Sequence, residues 1–95
     1  MAGYWMVRAT AASDQDAAEE YVKLWKPIAE KYQAKFLAAG GQHKTLEGKD
    51  MPRNLLVEFP SYQSALDCYD DPAYQAAMVF VRKAFNRELV VLEGL

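Results

Sequence analysis

Two stretches of this chain, Leu55-Leu56-Val57 and Leu89-Val90-Val91-Leu92, are apolar at consecutive positions where a half-exposed strand would alternate. Successive strand side chains point to opposite faces of a sheet, so an unbroken apolar run says that both faces are covered. A chain of 95 residues has helices for only one face. The other face then calls for a partner, and the runs predict a dimer built sheet to sheet. Composition points the same way. Apolar residues make up 52% and aromatic residues 13% of the chain, rich for a domain that buries only roughly 60 to 65% of its unfolded surface. A surplus of apolar side chains emerges as a patch, and large patches mark interfaces.

The length suits one domain, residues 1–95, with no room for a second core. Eleven basic and thirteen acidic residues leave a net charge of -2. No basic cluster tracks a phosphate backbone, so nucleic acid is not an expected partner. The single cysteine, Cys68, cannot form an internal disulfide and suits a reducing cytoplasm. Met1 to Thr10 carries no signal-peptide pattern, and no apolar run approaches the length of a membrane span. The expectation is a cytoplasmic protein without a membrane segment.

Tyr4 to Ala9, aromatic and β-branched, reads as a first strand. Ser13 offers a helix N-cap with Asp16 three residues on. Ala17, Tyr21, Leu24, Ile28 and Tyr32 then recur at helical spacing. Pro27 falls among the charged positions of that helix, where the freed carbonyl of Lys23 can be hydrated, so one bent helix is expected. Lys35 to Ala39 reads as a second strand, with Gly40-Gly41 as a bulge before Gln42 to Leu46 continues it. Glu47 to Pro52 has turn chemistry, and Arg53 to Phe59 is the third strand.

Ser61 caps a helix that breaks at Asp70-Asp71-Pro72, where Asp71 as N-cap and Pro72 as first residue restart it. Tyr74, Ala77, Met78, Val81 and Phe85 form its buried stripe, while Val79 and Phe80 lie off it as apolar surface. Glu88 to Glu93 is the last strand. Two βαβ halves with right-handed crossovers make an α+β, ferredoxin-like βαββαβ sandwich. Its sheet is antiparallel-containing and four-stranded, of order 4-1-3-2, with both helices on one face.

Several spaced motifs complete the picture. They are Gly3-Tyr4-Trp5, Phe36-Leu37-Ala38-Ala39-Gly40-Gly41, Leu46-Glu47-Gly48, Val57-Glu58-Phe59-Pro60-Ser61, Asp67-Cys68-Tyr69-Asp70, Tyr74-Gln75-Ala76-Ala77 and Val91-Leu92-Glu93-Gly94. With them the chain resembles DUF1330, a bacterial domain of unknown function, over essentially its whole length. It departs from that pattern at Ala39, where arginine often precedes the paired glycines. The resemblance implies the dimeric α+β barrel superfamily, in which two ferredoxin-like subunits bring their sheets face to face as a homodimer. Relatives there include cofactor-free monooxygenases, isomerases and dehydratases of small molecules. A shared fold does not carry a reaction with it.

Three residues are candidates for moving a proton. His43, the only histidine, lies in a Gly-rich polar stretch, without a carboxylate at helical or strand spacing to orient it. A solvated loop histidine is the plainer reading. Glu58 interrupts an apolar strand, so it is either ion-paired or has a raised pKa. Arg8 is its expected partner, because strands one and three are expected to be adjacent and parallel with both residues towards the same end, and Glu88 competes for the same arginine from strand four. Tyr69, beside the helix break, is a pocket candidate. Tyr4, Trp5, Trp25, Tyr32, Tyr69 and Tyr74 could line a pocket for a flat apolar ligand, although helical spacing makes core packing the commoner explanation for Trp25, Tyr32 and Tyr74. Arg53 and Arg82 could bind a carboxylate, though single arginines mostly serve surface solvation, and Arg8 is a further ligand-binding candidate.

One Cys and one His make no zinc site, and no phosphate loop is present, so neither metal nor nucleotide cofactor is expected. Cys68 inside a helix reads as a buried, inert thiol. Two functions fit. One is a cofactor-free enzyme acting on a small organic molecule in a pocket between helices and sheet. The other is a non-catalytic dimeric module that binds a metabolite or a protein partner through the apolar surface near Phe80.

Overall fold

Consecutive apolar residues do face both ways. Within Leu55-Leu56-Val57, Leu55 and Val57 join the core beneath the helices, while Leu56 stands on the opposite face with its register partner Met6. Within Leu89 to Leu92, Leu89 and Val91 reach the core, while Val90 and Leu92 are exposed. The computed structural model describes residues 1–95. Its elements are β1 (Gly3–Ala9), α1 (Gln15–Lys31), β2 (Lys35–Ala39), β3 (Arg53–Phe59), α2 (Tyr62–Asp70), α3 (Pro72–Ala84) and β4 (Arg87–Glu93). The four strands form one sheet of order β2-β3-β1-β4, which is 4-1-3-2 read from the other edge, and every neighbouring pair is antiparallel.

The helix starts follow from local chemistry. Asp14, not Ser13, caps α1: its Oδ1 accepts from the Ala17 amide at 3.0 Å. Ser13 is drawn away by the end of α3, where its hydroxyl donates to the Lys83 and Ala84 carbonyls, each at 3.2 Å. Pro27 sits within α1 on its exposed side, and the helix continues through it. Ser61 and Ser64 form a reciprocal capping box at the start of α2. Asp71 caps α3 with Pro72 at its first position, as the Asp-Asp-Pro break implies.

β2 is shorter than expected. Its bulge lies between Phe36 and Ala38, and residues 42 to 46 form no strand. Gly40 still donates to the Asn54 carbonyl, but β3 begins at Arg53, so residues beyond Gly41 would face positions that are not strand. Phe80 also differs from expectation. It is partly buried against the Ala17, Ala18 and Ala84 cluster where α1 meets α3, leaving Val79 as the exposed apolar residue.

The core centres on Trp5, which is 2% exposed. Its ring lies 5.0 Å from Phe59, 5.1 Å from Tyr74 and 5.5 Å from Trp25, and its indole N–H donates to the Ala65 carbonyl at 3.0 Å. A buried indole donor without such a partner would be costly. Next to it, Gly3 brings β1 against the α2 N-terminus so closely that a β-carbon would collide with the Ser61 carbonyl and Tyr62 Cα. Glycine is required there by contact, not by backbone angle.

Candidate functional site

Between α1 and the sheet the side chains do not fill the space they enclose. Ala9 on β1, Ala12 in the following loop and Ala18 on α1 are small where larger residues would close the gap. The result is an open cavity of about 430 Å³, lined by 18 residues of which 14 are hydrophobic. That volume falls within the range of small-molecule sites. Trp5, Trp25, Phe36 and Val57 wall one end. Along β1 the cross-strand pairs run Trp5–Val57, Val7–Leu55, Ala9–Arg53, so the cavity grades from aromatic to charged down a single strand.

The charged end has its own scaffold. Arg87, first residue of β4, donates from its guanidinium to the Tyr74 hydroxyl at 2.6 Å, and that hydroxyl is 2.9 Å from the Tyr21 hydroxyl. Arg87 also lies over the Tyr21 ring, 5.8 Å from its centroid. Burial, and then the Tyr74 oxygen beside it, push the Tyr21 phenol well above its ordinary pKa, so Tyr21 stays protonated at neutral pH and acts as donor or dipole, not as base. Burial opposes charge on Arg87, but the Tyr74 and Tyr21 oxygens outweigh it and raise its pKa. Arg53, on the opposite wall, stacks over Phe85 at 4.6 Å. Stacking occupies the face of a guanidinium and leaves its edge donors free.

Of the residues singled out from sequence, Trp5, Trp25 and Arg53 line this cavity, while Tyr74 packs in the core and Tyr4 lies on the helix-free face. Tyr69 and Arg82 line a neighbouring cavity of about 380 Å³ between α3 and β4, which shares Val81, Phe85 and Arg87 with the first. Tyr32 lies elsewhere. Its hydroxyl donates to Asp71 Oδ2 at 2.6 Å beside Lys31 Nζ at 2.8 Å, tying the end of α1 to the α2–α3 break. These two donors, then the Ala73 amide, hold the Asp71 carboxyl down at about 2.

Arg8 and Glu58 are not partners. β1 and β3 run antiparallel, which sets Arg8 opposite Asn54 and Glu58 opposite Tyr4, at the two ends of the ladder. Arg8 instead donates to the Lys49 carbonyl at 2.5 Å and lies 3.8 Å from Glu88, the competing partner. Glu58 accepts from the Tyr4 hydroxyl at 3.3 Å on the helix-free face. His43 sits in the β2–β3 loop with Nε2 3.4 Å from Asp50, whose other neighbour is the Thr45 hydroxyl at 2.8 Å. His43, Glu58 and Tyr69 are therefore in three separate places. Cys68 is fully buried, and burial pushes its thiol up to about 12. No three His, Cys, Asp or Glu side chains are grouped to hold a metal ion.

Arg87, Tyr21 and Phe36 line the cavity without having been singled out. Strand parity could have found the first: Arg87, Leu89 and Val91 occupy alternate positions, so Arg87 belongs to the inward row.

The fold has solved counterparts. A protein of unknown function from Rhodopseudomonas palustris matches with TM-score 0.76 and 19% identity, covering 99% of this chain and 82% of its own. A dimeric ferredoxin-like protein of unknown function from Jannaschia sp. CCS1 matches with TM-score 0.66 and 20% identity, over 99% of this chain and all (100%) of its own. SnoaB, a cofactor-independent oxygenase from Streptomyces nogalater, is a more distant likeness, with TM-score 0.55 and 11% identity over 99% of this chain and 93% of its own. No curated protein matches. At these identities the likenesses establish the ferredoxin-like fold alone. A domain of unknown function, DUF1330, matches residues 2–95, and the chain belongs to that family.

Proposed function

We propose that this protein is a homodimer, joined sheet to sheet, that binds a small organic molecule with an apolar body in the cavity between α1 and the sheet. The observation that carries the binding site is the cavity itself: about 430 Å³, with 14 of its 18 lining residues hydrophobic. A void that size beside a close-packed core forfeits dispersion contacts that a ligand restores. The dimer rests on the helix-free face, where Met6 lies across from Leu56 on one side and Val90 on the other. Met6, Val90 and Leu92 are 46%, 52% and 39% exposed, a contiguous apolar patch of the kind that marks an interface. The Jannaschia counterpart is described as dimeric, which supports self-association. A cytoplasmic location goes with this reading, since a lone buried cysteine suits a reducing compartment.

Titration of the protein with 4-phenylbutanoate and 4-phenylbutanamide, followed by tryptophan fluorescence, tests the site. Trp5 and Trp25 line the cavity, so binding should alter their emission, and Ala39→Trp at the rim should block it. No response to either compound, or a response that survives Ala39→Trp, overturns the cavity assignment. Light scattering tests the assembly separately. The expected mass is about twice 10.7 kDa, and Val90→Asp should halve it; a monomeric wild type overturns the dimer.

A catalytic reading is favoured by one observation, the structural likeness to a cofactor-independent oxygenase. In it the bound molecule undergoes cofactor-free chemistry of the monooxygenase, isomerase or dehydratase type, and His43, Glu58 or Tyr69 moves a proton. In a sheet-to-sheet dimer Glu58 lies in the interior with Tyr4, whereas the single subunit's cavity holds neither Glu58 nor His43. Oxygen uptake with 1-naphthol as probe checks the oxygenase form. Rates unchanged by Glu58→Gln, His43→Ala and Tyr69→Phe would remove all three as proton carriers.

A further inference from the structure

Arg53 and Arg87 are both cross-strand partners of Ala9, one on each side of it. Ala9 is 3% exposed and faces the helices, so both arginines start from the inward row of the sheet, their Cα atoms roughly 10 Å apart across two strand spacings. The ion pairs of the chain are Arg8–Glu88, Lys31–Asp71 and His43–Asp50, which leaves neither of these guanidinium groups with a carboxylate. Arg87 has one hydrogen bond, to Tyr74; Arg53 has none and rests on Phe85. Glu19, the acidic residue of the cavity lining, is exposed on α1 and pairs with neither.

Two like charges directed to one largely apolar cleft, Arg87 half-buried and Arg53 at its exposed edge, are an arrangement that an anion between them would favour. The planar edge of a guanidinium suits the two oxygens of a carboxylate. Here the fold holds the cations in place without providing the anion. Tyr74 and Tyr21 fix Arg87, Phe85 supports Arg53, and the methyl of Ala9 leaves the floor between them low.

Given that the cavity binds a small organic molecule, we infer that its ligand is an apolar monocarboxylate: the carboxylate sits over Ala9 between Arg53 and Arg87, and the hydrocarbon body extends along β1 towards Trp5 and Trp25. Phe36 and Val57 close the apolar end, so an aromatic ring or branched chain fits there better than a second charged group.

The test compares 4-phenylbutanoate with its neutral isostere 4-phenylbutanamide by isothermal titration calorimetry. The carboxylate is expected to bind at least tenfold more tightly. Arg53→Met should cut that preference about fivefold or more, and Arg53→Met combined with Arg87→Met should erase it, so that the two compounds bind equally. Arg53 is exposed and bonded to nothing, so its single variant remains informative even if loss of Arg87 loosens the Tyr21–Tyr74 pair. Equal binding of both compounds, still blocked by Ala39→Trp, overturns the carboxylate assignment and leaves the cavity reading standing. A preference that survives removal of both arginines also overturns it. Failure of both compounds to bind takes down the cavity reading and this inference together.

Discussion

On the helix side of the sheet Trp5, Val57 and Phe59 are each 1 to 2% exposed, while on the other side Met6 and Val90 are 46% and 52% exposed. These residues come from the same strands, and Trp5 and Met6 are consecutive. The helix side is packed within the chain: indole, carbonyl and capping hydrogen bonds are satisfied there, and the unfilled volumes include the cavity under α1 and its neighbour between α3 and β4. The other side is apolar but unfinished. It carries one side-chain hydrogen bond within the row, from Tyr4 to Glu58, and the Arg8–Glu88 contact at its far end. The difference teaches that alternate positions of one strand pattern serve two ends: one row builds the core of the chain, and the other is left for the proposed second subunit.

Truncation at Trp5 and Met6 separates those two roles most sharply. Trp5→Ala should cost about 3–5 kcal/mol in urea unfolding, because it empties the centre of the aromatic core. Met6→Ala on the open face should cost far less within the subunit and weaken association instead. Similar losses for both, read under conditions where each is monomeric, would mean that the two faces are energetically alike.

Adding an atom works in the opposite sense. Gly3→Ala should destabilise by about 1–3 kcal/mol, since overpacking displaces backbone that has nowhere to go. The obstacle is the Ser61–Tyr62 backbone at the α2 N-terminus. A thermal melt checks this, and an unchanged Tm would show that β1 and α2 can separate without loss.

The smallest effect concerns pH. Asp71 has its carboxyl lowered from an ordinary 3.8 to about 2 by Lys31 and Tyr32. A carboxyl depressed in the folded state contributes stability above its ordinary value, and that contribution drains away as pH falls through the folded value. The urea midpoint should therefore decline between about pH 4 and pH 2, and Asp71→Asn should flatten the decline. Because this tie lies in the helix layer, light scattering over the same range should show no change in mass until the subunit itself unfolds.

Much of the fold was legible because its signals are local. The apolar run bounded by the Glu47–Pro52 turn and by Pro60-Ser61 marks Arg53 to Phe59 residue for residue, and Ser61 and Asp71-Pro72 announce two helix starts through chemistry confined to three or four positions. What misled was long-range. Ser13 and Asp14 are equivalent as caps until the distant carbonyls of Lys83 and Ala84 engage the serine. Gln42 to Leu46 carries some strand character, but no neighbouring strand is left for it to pair with. The Arg8–Glu58 pairing failed on strand direction, which reverses which ends meet. Trp25 and Arg53 could be nominated for the cavity from residue type and element. Arg87 could not be recognised by type alone, since its support, Tyr74 and Tyr21, comes from two other elements.

The position of β1 between β3 and β4 has a consequence in time. Its ladder with β4 joins residues nearly the whole chain apart, as Gly3 with Glu93 and Ala9 with Arg87. Closing so long a loop costs entropy before any contact rewards it, and such topologies fold slowly. On a ribosome the first strand made must wait for the last. Until β4 emerges, Met6 and Trp5 sit on an open strand edge, and the interval before closure is when this chain is most exposed to pairing with the wrong partner.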